Sequence, residues 1–303
     1  MIIRNKTAFS LLFSWHGTIL PKVLPPMICL SVISVFFGMV AHYRWFHIPT
    51  PPLVGFTVFG VILSISLGFR NNASYERWWE GRKLWGNLIA VQRHLTRDSL
   101  ILSEGARKRL LYRTILFTRL LRDRLRQETA SHEDLSQYST LDPQSLDRLL
   151  KGHINPPQLI LETMQRELAN IFKNGEIDSI VYASLTAHIN GLGSVQAGCD
   201  RIAGTPLPFS YSVLLHRAIY GFCFMLPFGI ENVLGVWTPV MVAWLAYMFL
   251  GLDALGGELE EPFGTQPNDL PLDAIVLMVE REILSSLGKP MPDAPRAEHF
   301  NLR

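Results

Sequence analysis

The chain has 303 residues, of which 48% are hydrophobic and 18% charged, with a formal net charge of +2 at neutral pH. A soluble domain usually carries about 25% charged residues, so this balance points to partial residence in a membrane, and so small a net charge argues against nucleic acid as a partner. The three cysteines, Cys29, Cys199 and Cys223, are scattered without CxxC spacing and build neither a disulfide framework nor a zinc site.

Met1 to Lys22 has polar interruptions and does not read as a cleaved signal peptide. A helix needs roughly 20 apolar residues to cross hydrocarbon. Leu24–Tyr43 meets that need, and Pro25 and Pro26 suit a helix start. Pro51–Phe69 meets it too, again opening on prolines, and the short link "RWFHIPT" makes the pair an antiparallel hairpin. The polar stretch from Arg70 to about Pro206 comes next. Its leucines fall at helical spacing, first Leu84, Leu88 and Leu95 with Val91, then Leu110, Ile115, Leu120 and Leu121 against an arginine-rich face. His132–Gln158 reads as short helices and turns, and two further helices follow Pro157, separated by Gly175. A third apolar span, Pro208–Ile230, is interrupted by His216 and Arg217. A fourth, Val233–Leu255, turns acidic at its end.

The pattern predicts an all-α membrane protein with four transmembrane helices and a large cytoplasmic helical region. Its segments are 1–69 (N-terminal segment and first hairpin), 70–206 (cytoplasmic helices), 207–255 (second hairpin) and 256–303 (acidic loop and tail). Arg4, Lys6, Lys22, Arg70 and Arg77 flank the first hairpin, and no Lys or Arg stands around Glu231–Asn232. The positive-inside rule therefore places both termini and the middle segment in the cytoplasm.

Enzymatic signatures are missing: there is no GxSxG, Walker loop, HExxH or GxGxxG. Intramembrane ionisable groups are costly, so His216 and Arg217 read either as a structural pairing near a helix end or as part of a pore or gate. His153, His188 and His216 are candidate pH sensors that nothing separates from the other histidines. Asp253, Glu258, Glu260, Glu261, Asp269 and Asp273 crowd one stretch. Oxygen-rich clusters suit hard cations, yet the spacing is not that of an EF-hand and favours a solvated helix end and turn.

In the second span Gly60, Ser64 and Gly68 form a small-residue stripe suited to close helix packing. About 100° around the helix lie Val61, Ile65 and Phe69. Those three read equally as lipid-facing surface or, in a ring of subunits, as apolar collars that gate by dewetting.

Three motifs, "SWHGTIL" (14–20), "LGFRNNASYERWW" (67–79) and "EEPFGTQPND" (260–269), together resemble the bestrophin family, particularly its bacterial branch. The resemblance implies a homo-pentameric ion channel with one central pore, in contact with the lipid bilayer and with permeating ions, and with no required cofactor. It matches Val61, Ile65 and Phe69 to the neck collars and Ile180 to a cytosolic exit constriction. Glu176, Asp178 and Asp200 then read equally as acids that attract cations to that exit or as surface-solvated acids. Eukaryotic members carry phenylalanine where this chain has Ile65 and are anion channels, whereas bacterial members with the aliphatic collar conduct monovalent cations, so the resemblance implies conduction of Na⁺ and K⁺, with an anion channel as the alternative. Calcium control through Glu258, Glu261 and Asp269 is predicted to be weak or absent, because Gln266 replaces an expected acid. A secondary transporter would show paired repeats with broken helices, which are missing here, and a membrane scaffold would need no open axis.

Overall fold

The computed structural model describes residues 15, 17–43, 52–128, 137–139 and 152–294, and these are helical apart from turns and connections. The helices are α1 (Leu20–His42), α2 (Leu53–Asp98), α3 (Glu104–Arg126), α4 (Pro156–Lys173), α5 (Ser179–Gly204), α6 (Phe209–Leu234), α7 (Thr238–Glu260) and α8 (Leu272–Ser286). Three stretches are long and apolar enough to cross a membrane: Leu20–Val40, Leu53–Ile101 and Phe209–Glu260. The last is divided where Gly235, at a φ of 49°, ends α6, and a single 3₁₀ turn over Gly235–Trp237 leads into α7. The "RWFHIPT" link and most of His132–Gln158 lie outside the described residues.

One detail of α1 departs from expectation. The helix begins at Leu20, so Pro25 and Pro26 sit inside it. The carbonyls they leave without an N–H partner belong to Pro21 and Lys22, which are exposed near the helix start, where solvent can replace the lost bonds.

The chain forms two compact units. The first holds the described residues of Arg4–Trp78 and Pro206–Pro262: α1, the first part of α2, α6 and α7. Its core is a cluster of Leu30, Leu63, Leu67, Leu215, Ile219, Phe222, Val242 and Ala246, with α1 and α6 packed along α7. Contact is close where Gly229 of α6 meets the ring of Phe56.

The second unit holds those of Trp79–Thr205 and Phe263–Arg303. Here the predicted core leucines Leu88, Leu95, Leu110 and Leu121 are buried, along with Trp85. Val91 and Leu84 of α2 lie against Gly191 and Gly198 of α5, where a Cβ would come within 3.2 Å and 2.7 Å of them. Asn155 caps α4 by accepting the Gln158 N–H, and Gly175, at a φ of 75°, turns the chain from α4 towards α5. The arginine face of α3 is not solvated as a whole. Arg119 pairs with buried Glu280 at 2.5 Å, and Arg122 and Arg126 reach Asp273 at 2.9 Å and 2.8 Å. The Tyr138 hydroxyl also donates to Glu280 at 2.6 Å, and burial followed by that carboxylate pushes the phenol upward from its ordinary pKa.

Two expected outcomes follow from this packing. Replacing Gly229 with Ala drives a methyl group into Phe56 and should destabilise by about 1–3 kcal/mol, read as a lowered Tm of the purified protein in detergent. Cys199 is fully buried, and burial together with Asp200 and Glu80 pushes its thiol up to about 12. In a Cys29→Ser, Cys223→Ser background, Cys199 should therefore resist maleimide at pH 7.5 until the protein is unfolded.

Candidate pore helix and its anchoring residues

Helix α2 runs unbroken for 46 residues through the change from apolar to charged sequence. In its apolar half one narrow stripe is buried: Leu63, Leu67, Arg70 and Ser74, spaced four, three and four. The opposite side is open. Val61, Ile65 and Phe69 are 54%, 55% and 70% exposed in the single chain, and they stand together along one face as the sequence spacing requires.

Within the single chain the small-residue stripe is only partly in contact. Gly60 does meet a neighbour, the Phe222 ring, to which a Cβ would approach within 3.3 Å. Ser64 is exposed, and a Cβ at Gly68 would find nothing within 4 Å. Packing inside the chain is thus carried by Leu63 and Leu67, because the neighbouring helices offer bulky side chains that need bulky partners to fill space.

Arg70, the first charge after the apolar run, is only 7% exposed. Its guanidinium pairs with Asp253 of α7 and lies 3.6 Å from Glu260. The other Asp253 oxygen contacts His216 Nδ1 at 2.8 Å. Arg77 donates to the Glu260 carbonyl at 3.0 Å, and Glu260 Oε1 accepts the Leu207 N–H. Lys22 of α1 pairs with buried Glu258 at 2.6 Å. Most of the acidic run is therefore not a solvated helix end, since Asp253, Glu258, Glu260 and Asp273 are engaged by cations from other helices. Glu261 is exposed, and Asp269, in the other unit, is buried and accepts the Gln266 N–H at 2.7 Å. Among the described residues no group of three or more His, Cys, Asp or Glu side chains is placed to hold a metal ion.

Ile180 is 79% exposed in the first turn of α5. Asp178 caps that helix, its Oδ1 accepting the N–H groups of Ile180 and Val181 at 2.8 Å each. Asp200 pairs with Arg124 at 3.0 Å, while Glu176 is exposed. His188 contacts Asp98 at 2.7 Å, and His153 is exposed. Sequence reasoning missed the role of Arg70 as an anchor. The signal was there: it continues the spacing of Leu63 and Leu67, and the fourth span ends in acids.

Residues 1–285 match the family model described as Bacterial/Fungal Bestrophin protein. The chain is 39% identical over 305 residues to a voltage-dependent anion channel-forming protein of Mesorhizobium japonicum, covering 99% of this chain and 96% of that protein. It is 41% identical over 277 residues to the voltage-dependent anion channel-forming protein YneE of Escherichia coli, covering 90% and 89%. The crystal structure of a bacterial bestrophin homolog from Klebsiella pneumoniae matches with a TM-score of 0.80 at 32% identity, covering 89% of this chain and 99% of that one. The two curated relatives are named as channel-forming proteins, and the family is one of channel-forming proteins and not of enzymes. Those relatives overturn the predicted preference for Na⁺ and K⁺, because the full-length curated relatives are named for anions. The physical reason is plain: an isoleucine at position 65 carries no charge and does not set the sign of the permeant ion. Through its match to the family model and its full-length relatives, this chain belongs to the bestrophin family, among the bacterial and fungal members.

Proposed function

We propose that the protein is an anion channel that works as a homo-pentamer in the bacterial inner membrane. In this reading α1, the first part of α2, α6 and α7 are the four spans of each subunit, and both termini face the cytoplasm. Val61, Ile65 and Phe69 from five copies form the collars of an apolar neck, and Ile180 rings a second constriction at the cytosolic exit.

The observation that carries the reading is the outward face of α2. A helix buried on one stripe, with large apolar side chains open on the others, has too much unpartnered surface for a free monomer in water. Lipid and further copies of the chain are the two environments that would cover it. The names of the full-length relatives favour a channel and favour anions. An apolar collar admits an ion only if the pore stays wetted, and it disfavours ions that hold their water tightly. Further along α2 the register of the collar face is continued by Lys83, His94 and Arg97, all exposed, with Glu76 the acid on that register. Lysine and arginine at those positions would raise the local concentration of anions.

Ile65→Ala should widen the neck and raise single-channel anion current several-fold in planar bilayers, whereas Ile65→Phe should lower conductance or alter ion preference. Unchanged unitary currents in both variants would place the pore on another face of α2. A bi-ionic reversal potential governed by Na⁺ or K⁺ instead of Cl⁻ would refute the anion reading. Gly68→Leu is open-space inside the chain, so it should leave the subunit folded and break up the oligomer on gel filtration.

A further inference from the structure

On the side of α2 that faces α6, the two helices leave a groove of about 590 Å³. Phe56, Phe59, Leu214, Phe222 and Met225 line it, and the one charged side chain in its wall is Arg217. That volume lies in the range of sites that hold small molecules.

Arg217 stands apart from the other cations of its unit. Among the described residues there, Lys22 pairs with Glu258, Arg70 with Asp253, and Arg77 with the Glu260 carbonyl. The Arg217 guanidinium has no hydrogen bond or ion pair among the described residues. The acid nearest in the sequence pattern of these spans, Asp253, is already shared by Arg70 and His216. An arginine within an apolar span is costly unless it finds an anion. It lies eight residues after Phe209, about 12 Å along α6, so its long stem can carry the charge back towards the interface.

We propose that this groove binds an anionic phospholipid of the cytoplasmic leaflet, with the acyl chain along Phe56, Phe59 and Met225 and the phosphate held by Arg217. The proposal rests on the membrane-spanning reading of α2 and α6 and is independent of which ion the protein conducts. A guanidinium presents paired N–H donors that match two phosphate oxygens, and basic pockets between membrane helices on the cytoplasmic side suit lipid headgroups. A second copy of the chain is a poorer occupant. The unit's other described acids, Glu76, Glu231, Glu258, Glu260 and Glu261, lie at or beyond the ends of the apolar spans, so a copy has no free carboxylate within its spans to offer.

The test uses the full-length protein in bilayers that mix phosphatidylglycerol with phosphatidylcholine, and counts retained lipid by native mass spectrometry. The wild type should retain phosphatidylglycerol preferentially. Arg217→Gln should weaken that retention about fivefold, the effect of one interfacial cation, and Arg217→Lys should restore most of it. Gly221 also lines the groove, and a Cβ there meets no atom within 4 Å. Gly221→Leu should therefore fill the groove without disturbing the fold and displace the lipid with Arg217 intact. Unchanged retention in both Arg217→Gln and Gly221→Leu overturns the proposal. So does displacement of the lipid by inorganic phosphate, which would mark a simple anion site. Dissociation of the oligomer by Arg217→Gln with lipid still bound would assign the groove to a second copy and overturn it as well. Retention is read without passing current, so absence of anion conduction would refute the channel reading and leave this one standing.

Discussion

The ion pair between Arg70 and Asp253 fixes how α2 sits. Arg70 shares a stripe with Leu63, Leu67 and Ser74, so holding its guanidinium against α7 fixes the rotation of α2 about its own axis. With that rotation set, Val61, Ile65 and Phe69 have to face away from the core. A turn of one residue, about 100°, would bring Phe69 or Asn71 to the anchor position and carry those three side chains off their face. Leu63 and Leu67 alone would specify the rotation less sharply, because apolar contacts are not directional. A buried pair in which each partner is nearly enclosed costs about 3–5 kcal/mol to break from one side, and here Asp253 is also engaged by His216.

The second unit achieves a similar exactness by other means. Gly191 and Gly198 let α5 come close enough for Val91 and Leu84 of α2 to fill the space where side chains would stand. Its charged core is built from arginines of α3 and acids of α8, with Tyr138 adding a donor to Glu280. Asp123, next to Arg122, shows what this arrangement resists. Burial raises its carboxyl above the ordinary range, and the neighbouring guanidinium only partly offsets that. Such networks stabilise a fold only when nearly every member is paired.

Much of this was legible in the sequence. Hydropathy marked the apolar stretches, leucine spacing found the core of α3, and Gly175 marked the turn between α4 and α5. Three motifs together carried the family. What the sequence concealed was partnership. Gly60, Ser64 and Gly68 looked like a packing face, but a stripe of small residues says nothing of what lies opposite, and inside the chain only Gly60 has a neighbour. The acids from Asp253 to Asp273 looked solvated because their counter-charges, Lys22, Arg70, Arg122 and Arg126, are far away in sequence. Periodicity reports which side of a helix is buried, whereas charge pairing across helices depends on a fold that periodicity does not contain.

Ion sign was misread for a related reason. An aliphatic collar repels charge of either sign, since its cost is the loss of hydration and not a Coulomb interaction. Its influence on selectivity is therefore through how readily an ion sheds water, while sign is set by fixed charges elsewhere along the path. In this chain the acids proposed for that task are partly spent: Asp178 caps α5 and Asp200 pairs with Arg124. Arg97 is likewise engaged, lying 3.7 Å from its neighbour Asp98, whereas Lys83 is exposed. A single-residue comparison at position 65 could not weigh those terms, because an uncharged side chain carries no information about the sign of fixed charge elsewhere.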